Sequence, residues 1–325
     1  MSAPATVFVT RALPEPGVAS LVAAGLTVVY RDLDEPPSPA ELLAGASTAD
    51  AVLCLLSERI DAELLDAAPR LRIVANLAVG FDNIDVDAAT ERGVVVTTTP
   101  DVLTEATADL TWALVLATAR RVTEADALVR RGAWKGFSPT MLLGAPVAGR
   151  TLGIVGMGAI GRGVARRARG FDMTVLYRNR HPDPVTEREL GVIPVSLDEL
   201  LAQSDIVSLH APLTAESRHL IDGAALAAMK PTAILINTAR GALVDEAALV
   251  DALRTGVIAG AGLDVFEDEP RLAEGLAALT NTVLLPHLGS ATTDTRAAMV
   301  TLACANIIEV LAGRPALTPR LPESP

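Results

Sequence analysis

The sequence is poor in aromatic residues and cysteine, and it has no long apolar run. Aromatic side chains make up 3% of the 325 residues, so small aliphatic side chains must fill the interior. Cys54 and Cys304 stand alone in apolar segments, which favours buried free thiols over a disulfide and leaves no metal-ligand spacing. No apolar stretch has membrane-spanning length, and the chain does not begin with a basic region and an apolar core. We therefore expect a cytoplasmic protein with no metal and no membrane partner.

Positive charge is also scarce. The formal net charge is −12 and the isoelectric point is about 4.8, which argues against nucleic acid as a partner because its phosphates would be repelled. Lys135 and Lys230 are the only lysines, so almost every cation is an arginine. The length has room for two ordinary domains, and half of the residues are apolar, which suffices for two cores.

A glycine-rich turn between a strand and a helix is the most informative pattern. The apolar run 151–155 has strand length, and Gly156, Gly158 and Gly161 follow it as G-x-G-x-x-G before the helical stretch 162–170. Such glycines let the backbone turn tightly and approach a pyrophosphate, which the free N–H groups and the positive end of the helix attract. The turn predicts a dinucleotide site, and a chance match among 24 glycines is the alternative.

The end of the next strand indicates which dinucleotide is bound. The apolar run 173–177 ends where a dinucleotide fold contacts the adenosine ribose, and NAD enzymes carry an acid there. Here the residues are Arg178, Asn179 and Arg180. Two guanidinium groups suit a 2′-phosphate and not a bare ribose. We therefore expect NADP(H) to be preferred with NAD(H) possible, the alternative being that both arginines are solvated loop charges.

Short apolar strands alternate with helical segments along the whole chain, which predicts an α/β fold with parallel sheets. In the first hundred residues the predicted strands are 6–10, 27–30, 51–55, 73–76 and 94–97. Besides the two runs already described, later strands are predicted over 205–210, 233–237, 260–263 and 282–285. A long helix should cover 294–311, and we expect the proline-rich tail from Gly313 to be loosely held.

Three of the predicted strands deliver polar residues at their carboxyl ends, where open α/β sheets bind ligands. Arg240 can bind a carboxylate through two hydrogen bonds and polarise an adjacent carbonyl. His287 can donate a proton to a carbonyl oxygen whose carbon receives a hydride, and Glu269 would orient the imidazole and keep its acid form available. Each alone has a plain explanation, as a core histidine, a solvated acid or a surface cation, so the hypothesis depends on the joint pattern.

Further candidates lie in the loops. The backbone N–H groups of Val79 and Gly80 follow a strand and could bind a substrate carboxylate, with an ordinary turn as the alternative. A long helix begins near Thr104, which can cap it, and we place the first crossing into the nucleotide domain there. Trp134 lies in the Gly/Pro loop 131–139, where it could cover a site or meet a partner subunit.

Four motifs together resemble the D-isomer-specific 2-hydroxyacid dehydrogenase family. They are Gly156-x-Gly-x-x-Gly161, Thr238-Ala-Arg-Gly241, Gly262-Leu-Asp-Val-Phe-Glu267 with Glu269-Pro270, and Pro286-His-Leu-Gly289. The resemblance implies two doubly wound parallel-sheet domains with a cleft between them. One is a Rossmann NAD(P)-binding domain over 101–290, and the other is a discontinuous, flavodoxin-like substrate domain over 1–100 and 291–325. It also implies a homodimer.

The resemblance assigns roles by motif. Arg240 corresponds to the substrate-binding arginine, His287 to the acid/base and Glu269 to its partner. Asp264 and Thr238 would line the nicotinamide side, and His210 with Pro212 would flank the adenosine. The full set of cofactor positions is Thr104, Gly156, Gly158, Ala159, Ile160, Gly161, Arg178, Asn179, Arg180, His210, Pro212, Thr238, Ala239, Asp264 and Gly289.

Within the family, segments 78–85, 132–139 and 177–180 resemble glyoxylate/hydroxypyruvate reductases, which commonly prefer NADPH and reduce small 2-oxo acids. Trp134 would then reach the substrate pocket of its own or of the partner subunit. Asn179 is a departure, since many relatives have Ser or Thr there. We expect reduction of glyoxylate to glycolate and of hydroxypyruvate to D-glycerate. The alternatives are an NAD-linked D-2-hydroxyacid or phosphite dehydrogenase with another substrate range, and a non-catalytic dinucleotide-sensing corepressor.

Replacing both Arg178 and Arg180 by Ala tests the predicted cofactor preference. If the guanidinium groups bind the 2′-phosphate, the double variant should lose about tenfold or more in the ratio of kcat/KM for NADPH to that for NADH, because charge-assisted hydrogen bonds are lost for one cofactor only. Steady-state rates with each cofactor measure this ratio. An unchanged ratio would assign both arginines to the solvated loop.

Overall fold

Residues 3–321 are described by a computed structural model, and their backbone alternates between strands and helices. The strands are β1 Thr6–Val9, β2 Thr27–Tyr30, β3 Ala51–Cys54, β4 Ile73–Asn76, β5 Val95–Thr97, β6 Thr151–Val155, β7 Thr174–Arg178, β8 Ile193–Pro194, β9 Ile206–Leu209, β10 Ile234–Asn237, β11 Gly260–Leu263, β12 Thr282–Leu284 and β13 Pro319–Arg320. The helices are α1 Ala19–Ala23, α2 Pro39–Ser47, α3 Ala62–Ala67, α4 Val86–Glu91, α5 Thr104–Ala119, α6 Val122–Arg130, α7 Ala159–Ala168, α8 Pro184–Leu190, α9 Leu197–Gln203, α10 Gly223–Ala228, α11 Glu246–Thr255 and α12 Thr293–Leu311. Short 3₁₀ helices cover Arg169–Phe171, Gly241–Leu243 and Leu276–Ala278.

These elements form two units with separate sheets. One unit takes the described chain up to Leu103 and again from Ser290 onward, and the other spans Thr104–Gly289. The outer bounds of the predicted domains, residues 1 and 325, lie outside the described residues. Each predicted strand is present with its ends shifted by at most one residue, so the predicted α/β class is confirmed.

The first unit has a six-stranded sheet in the order β13-β5-β4-β3-β1-β2. All its pairings are parallel except that of β13 with β5. The central strands β3 and β4 bury every residue, as expected for parallel strands that are covered on both faces. Val52, Val74 and Val96 contribute to its core from the sheet.

The second unit has a seven-stranded parallel sheet in the order β12-β11-β10-β9-β6-β7-β8. The chain begins this sheet at β6 and builds outward in both directions, so the strand order reverses between β6 and β9. Ligands of open α/β sheets bind beyond the carboxyl ends of the strands at such a reversal. The sheet therefore places the glycine turn after β6 and His210 after β9 beside the expected cofactor position.

Helix starts follow from local sequence. Ser38 with Glu41 and Ser196 with Glu199 form reciprocal capping boxes at α2 and α9, each satisfying free N–H groups of the first turn. The expectation for α5 needs correction, because Thr104 is its first helical residue and not the residue that precedes it.

The tail beyond α12 is held more firmly than expected. The carboxamide oxygen of the buried Asn306 accepts hydrogen bonds from the N–H groups of Leu317 (2.9 Å) and Thr318 (3.0 Å). The Thr318 hydroxyl donates to the carbonyl of Thr98 at 2.7 Å, and β13 then pairs with β5. The prediction of a loose tail from Gly313 is therefore wrong as far as Arg320, and residues 322–325 lie outside the described part. Among residues 3–321, no helix combines the length and hydropathy needed to span a membrane.

Candidate active site

The glycine turn after β6 needs glycine for two different reasons. Gly156 has φ +96°, and a Cβ there would lie 2.5 Å from the backbone nitrogen of Ala211. A Cβ on Gly161 would lie 2.2 Å from the carbonyl oxygen of Gly156. A Cβ on Gly158, by contrast, would meet no protein atom within 4 Å. The space beside Gly158 is thus open, which fits close approach of a cofactor pyrophosphate.

The start of α7 is suited to bind an anion. Gly158 is its N-cap residue and no side chain caps this end, so the N–H groups of Ala159 and Ile160 remain open beside the positive end of the helix. Asn179, at the end of β7, contacts the same turn, because its side-chain oxygen accepts a hydrogen bond from the Met157 N–H at 2.6 Å. The uncapped helix start beside a glycine turn fits the pyrophosphate of a dinucleotide.

The segment after β7, where the sequence predicts the adenosine contact, is exposed and carries two arginines. Arg178 and Arg180 are both exposed. Arg180 donates to the Thr214 hydroxyl at 3.4 Å and lies 3.6 Å from Glu216. His210 lies 2.8 Å from the Ser208 hydroxyl through Nε2, and burial lowers its pKa to about 3. His210 is therefore neutral at physiological pH and can contact a cofactor without adding charge.

Arg240 is presented by a tight turn at the end of β10. The Asn237 side chain shapes this turn by donating to the Arg240 carbonyl at 2.8 Å and accepting from the Ala239 N–H at 3.0 Å. Thr238 is buried, and its hydroxyl lies 2.9 Å from that of Thr111. A Cβ on Gly241 would lie 1.8 Å from the Phe266 carbonyl carbon, so this turn and the loop after β11 share space that only glycine allows.

His287 and Glu269 form a hydrogen-bonded pair. The imidazole Nδ1 lies 2.9 Å from Glu269 Oε2, and the other carboxylate oxygen accepts from the Phe266 N–H at 3.0 Å. Burial raises the pKa of Glu269, but the hydrogen bond from His287, the charges of His287 and Arg240 and the Phe266 N–H together hold this pKa below its ordinary value. The carboxylate is therefore ionised at neutral pH, and Nδ1 must be the donor. Nε2 is left to exchange a proton with a ligand.

Asp264 fixes the backbone that carries His287. The Asp264 carbonyl accepts from the His287 N–H at 2.9 Å, and its Oδ1 accepts from the Leu288 N–H at 2.7 Å. His287 adopts φ +56°, a left-handed conformation that costs an L residue on the order of 1–3 kcal/mol and requires such support. Burial raises the pKa of Asp264, whereas the N–H groups of Leu288 and Gly289 and the charge of His287 lower it, and on balance it lies above its ordinary value.

A largely apolar cavity of about 330 Å³ adjoins the pair. His287 and Glu269 line it together with Phe266, Pro270, Leu272, Leu284, Leu285 and Pro286. An ionised carboxylate beside an apolar wall is the kind of environment in which proton transfer can be controlled, because bulk water is partly excluded.

The other predicted site residues lie in loops of both units. In the first unit, the N–H groups of Val79 and Gly80 donate to no acceptor among the described residues, while the Gly80 carbonyl accepts from the Asn76 side chain at 2.8 Å. In the second unit, Trp134 is 53% exposed, and Pro212 is also exposed. A Cβ on Gly289 would lie 3.4 Å from Asp264 Oδ2, which keeps this segment close to the buried carboxylate.

Sequence reasoning missed two residues that support the site from behind, Asn237 and Glu246, and it named Gly241 only as part of a motif. Asn237 gave a usable signal, since it is the one polar residue at the end of the otherwise apolar strand β10. Glu246 is 5% exposed and accepts hydrogen bonds from the N–H groups of Glu267 and Ala273. In the sequence, the preceding Asp245 and the helical segment that follows make Glu246 resemble an ordinary first-turn residue of a helix.

Comparison with protein families and curated proteins gives consistent matches. The family model described as "D-isomer specific 2-hydroxyacid dehydrogenase, NAD binding domain" matches residues 112–289. A glyoxylate reductase of Thermococcus onnurineus is 54% identical over 306 residues, which is 93% of this chain and 91% of that protein. A glyoxylate reductase of Aeropyrum pernix is 51% identical over 313 residues, with 95% and 93% covered.

Solved structures also match over nearly the whole chain. A Thermus thermophilus protein superposes with a TM-score of 0.91 and 48% identity, covering 97% of this chain and all of that one. An NADPH-dependent glyoxylate/hydroxypyruvate reductase of Sinorhizobium meliloti, solved with NADP and malonate, gives a TM-score of 0.87 and 37% identity, with 98% and 97% covered.

Replacing Gly241 by Ala tests the close approach of the two loops. The new methyl group would overlap the Phe266 backbone, so we expect the free energy of unfolding to fall by about 1–3 kcal/mol. Gly223→Ala is the matched control, because a Cβ there would meet only an Ala248 side chain at 3.9 Å, and its effect should stay within about 0.5 kcal/mol. Denaturant unfolding of both variants measures the difference, and equal stabilities would contradict the packing at Gly241.

Proposed function

The chain belongs to the D-isomer-specific 2-hydroxyacid dehydrogenase family and is an NAD(P)-dependent oxidoreductase, and we propose that it reduces glyoxylate and hydroxypyruvate with NADPH. The products would be glycolate and D-glycerate. The observation that carries the proposal is the 2.9 Å contact of His287 with an ionised Glu269, within the electrostatic reach of Arg240. Relatives at about half identity named glyoxylate reductase support the substrate class.

Three side chains would perform the chemistry. A bound reduced nicotinamide supplies the hydride to the 2-carbon. His287 donates the proton from Nε2 to the developing oxyanion, while Glu269 holds Nδ1 and stabilises the charged imidazole. Arg240 binds the carboxylate and polarises the 2-oxo group. The resulting product carries one new C–H bond and one new O–H bond.

The cofactor residues would divide by position. Gly156, Gly158, Ala159, Ile160 and Gly161 would form the pyrophosphate site, and Thr238, Ala239, Asp264 and Gly289 would line the nicotinamide side. We assign Arg178, Asn179 and Arg180 to the 2′-phosphate, His210 and Pro212 to the adenosine, and Thr104 to the cofactor-facing start of α5. Two exposed guanidinium groups and the absence of an acid directly after β7 support NADPH over NADH.

The first unit, with its continuation after Ser290, would bind the substrate. The open N–H groups of Val79 and Gly80 offer two donors to its carboxylate. Trp134 would border the substrate pocket, and its exposure supports a role outside the core of its own unit.

A second copy of the chain is the expected partner. Helix α6 buries none of its residues, and its apolar side chains Val122 and Val129 are 50% and 57% exposed. With Leu116 and Ala125 they line an apolar groove of about 620 Å³ that Arg120 and Asp126 border. An amphipathic helix with an uncovered apolar face is typical of an interface, so we propose that this groove is part of a homodimer contact.

Steady-state assays with a series of substrates test the proposal. We expect kcat/KM to be highest for glyoxylate and hydroxypyruvate with NADPH, lower with NADH, and lower again for phenylpyruvate. Oxidation of phosphite with NAD should be absent. A preference for phenylpyruvate, or phosphite oxidation, would assign the chain to another member of the family. Failure to oxidise NADPH with any 2-oxo acid would favour a dinucleotide sensor.

Replacing His287 by Ala separates proton transfer from cofactor binding. Turnover of glyoxylate should fall by about 10²–10⁴-fold, because a positioned general acid contributes this much, while the Kd for NADPH stays within about twofold. His181→Ala, which alters an exposed histidine, is the control and should keep full turnover. Stopped-flow reduction and fluorescence titration with NADPH give the two quantities, and unchanged turnover would remove His287 from the mechanism.

A further inference from the structure

We infer that Glu246 is a positioning residue that holds the Glu269 loop in its working geometry. The inference rests on the proposed role of Glu269. It concerns the segment 266–273 after β11, which carries Glu269 and has no regular secondary structure of its own. Such a segment can keep a carboxylate beside His287 only if other elements fix its backbone.

Glu246 supplies that attachment at both ends of the segment. Its Oε1 accepts from the Glu267 N–H at 2.7 Å, and its Oε2 accepts from the Ala273 N–H at 3.2 Å. The two amides lie on either side of Glu269 in the sequence. One carboxylate therefore connects the two ends of the loop, and each of its oxygens accepts one hydrogen bond.

The partners of Glu246 distinguish this role from ordinary helix capping. Glu246 is the first residue of α11, where an acid often accepts from the amides of its own helix. Here Asp245 performs that function by accepting from the Ala248 N–H at 3.0 Å. Glu246 instead accepts both of its hydrogen bonds from N–H groups of the loop, and its side chain is buried. The positive end of α11 helps to keep the buried carboxylate ionised.

Other contacts of Glu267 show that the loop is held from two sides. The Glu267 side chain lies 2.7 Å from His219 Nε2 and pairs with Arg218 at 2.6 Å. The His219 N–H in turn donates to the Ala242 carbonyl at 2.8 Å, in the turn that follows Arg240. Glu267 is therefore fixed through its side chain by Arg218 and His219 and through its backbone N–H by Glu246. His219 in turn connects the loop of Glu269 to the turn that follows Arg240.

Burial gives this arrangement an electrostatic cost. Burial raises the pKa of Glu246, the two backbone N–H donors lower it, and the nearby Glu267 and Glu269 raise it again, so that on balance it lies above its ordinary value. A second carboxylate near Glu269 would be unfavourable without a function for it. The function that we infer for Glu246 is to fix the loop through its two hydrogen bonds.

Glu246→Gln is the decisive variant, because it keeps the size of the side chain but leaves only one oxygen to accept. We expect kcat for glyoxylate reduction to fall by about 10–100-fold through misplacement of Glu269, with the Kd for NADPH changed less than about twofold. The amides of Glu267 and Ala273 should exchange hydrogen at least about tenfold faster than in the wild type. Glu274→Gln is the control. It removes an exposed carboxylate next to Ala273 in the sequence and should change none of these quantities.

A double variant tests whether Glu246 acts through Glu269. In a Glu269→Gln background, adding Glu246→Gln should lower kcat by less than about twofold, since the group it positions is already altered. A full additional loss would overturn the proposal, and so would an unchanged kcat or unchanged amide exchange in the single variant. If Glu246→Gln fails to fold, Glu246→Asp keeps the charge and shortens the reach. Failure of both to fold would overturn the proposal by assigning Glu246 to the stability of the whole unit.

These outcomes are separable from failure of the proposed function. A wild-type protein that reduces no 2-oxo acid would refute that function, whereas the amide exchange rates would still report whether Glu246 fixes the loop. An active wild type with unaffected Glu246→Gln would refute only the inference drawn from Glu246.

Discussion

The close approach of two backbone segments at Gly241 is the constraint on which the candidate site depends. Arg240 belongs to the turn after β10, and Glu269 belongs to the loop after β11, and neighbouring parallel strands alone would leave their ends a strand spacing apart. Because residue 241 has no side chain, the Phe266 and Glu267 backbone can occupy the space where a Cβ would stand. The charge of Arg240 then reaches the Glu269 carboxylate and helps to keep it ionised. Gly241 thus sets how closely the turn of Arg240 and the loop of Glu269 approach, whereas the low pKa of Glu269 owes more to its hydrogen bond with His287 than to Arg240.

Four titratable residues at this edge of the sheet have different surroundings, which affect their protonation differently. Glu269 has cationic neighbours and a lowered pKa, whereas Asp264 is fully buried and has a raised one. His210 is kept neutral by burial, while His287 has an ionised partner at 2.9 Å. Chemistry at neutral pH needs such separation, because one acid must donate while its neighbours do not compete for the proton. His287 and Glu269 are similarly exposed, at 33% and 36%, so the contrast between Glu269 and the buried Asp264 arises from burial together with the cationic neighbours of Glu269.

Much of the fold could be predicted from sequence, and the candidate side chains could be selected from it, because both depend on local patterns. Apolar runs of strand length fix the strands, and the rule that ligands meet parallel strands at their carboxyl ends selects Arg240 and His287. The supporting contacts follow from long-range backbone geometry, for which one sequence carries no local signal. Glu246 bonds to amides 21 and 27 residues away, and Asn306 bonds to a tail that composition alone made look loose. Side chains that accept from a distant backbone resemble surface polar residues until the fold is known.

The two ends of the candidate cofactor site differ in how freely they can change. Arg178 and Arg180 are exposed, so no core packing depends on them, and the proposed preference for a 2′-phosphate could be altered there without moving the sheet. Asn179 lies between them but is bonded to the Met157 N–H in the glycine turn. A change at Asn179 would therefore act on the glycine turn as well as on the proposed ribose contact, unlike a change at either arginine. The departure from Ser or Thr at this position thus concerns the shape of the turn at least as much as the choice between NADPH and NADH.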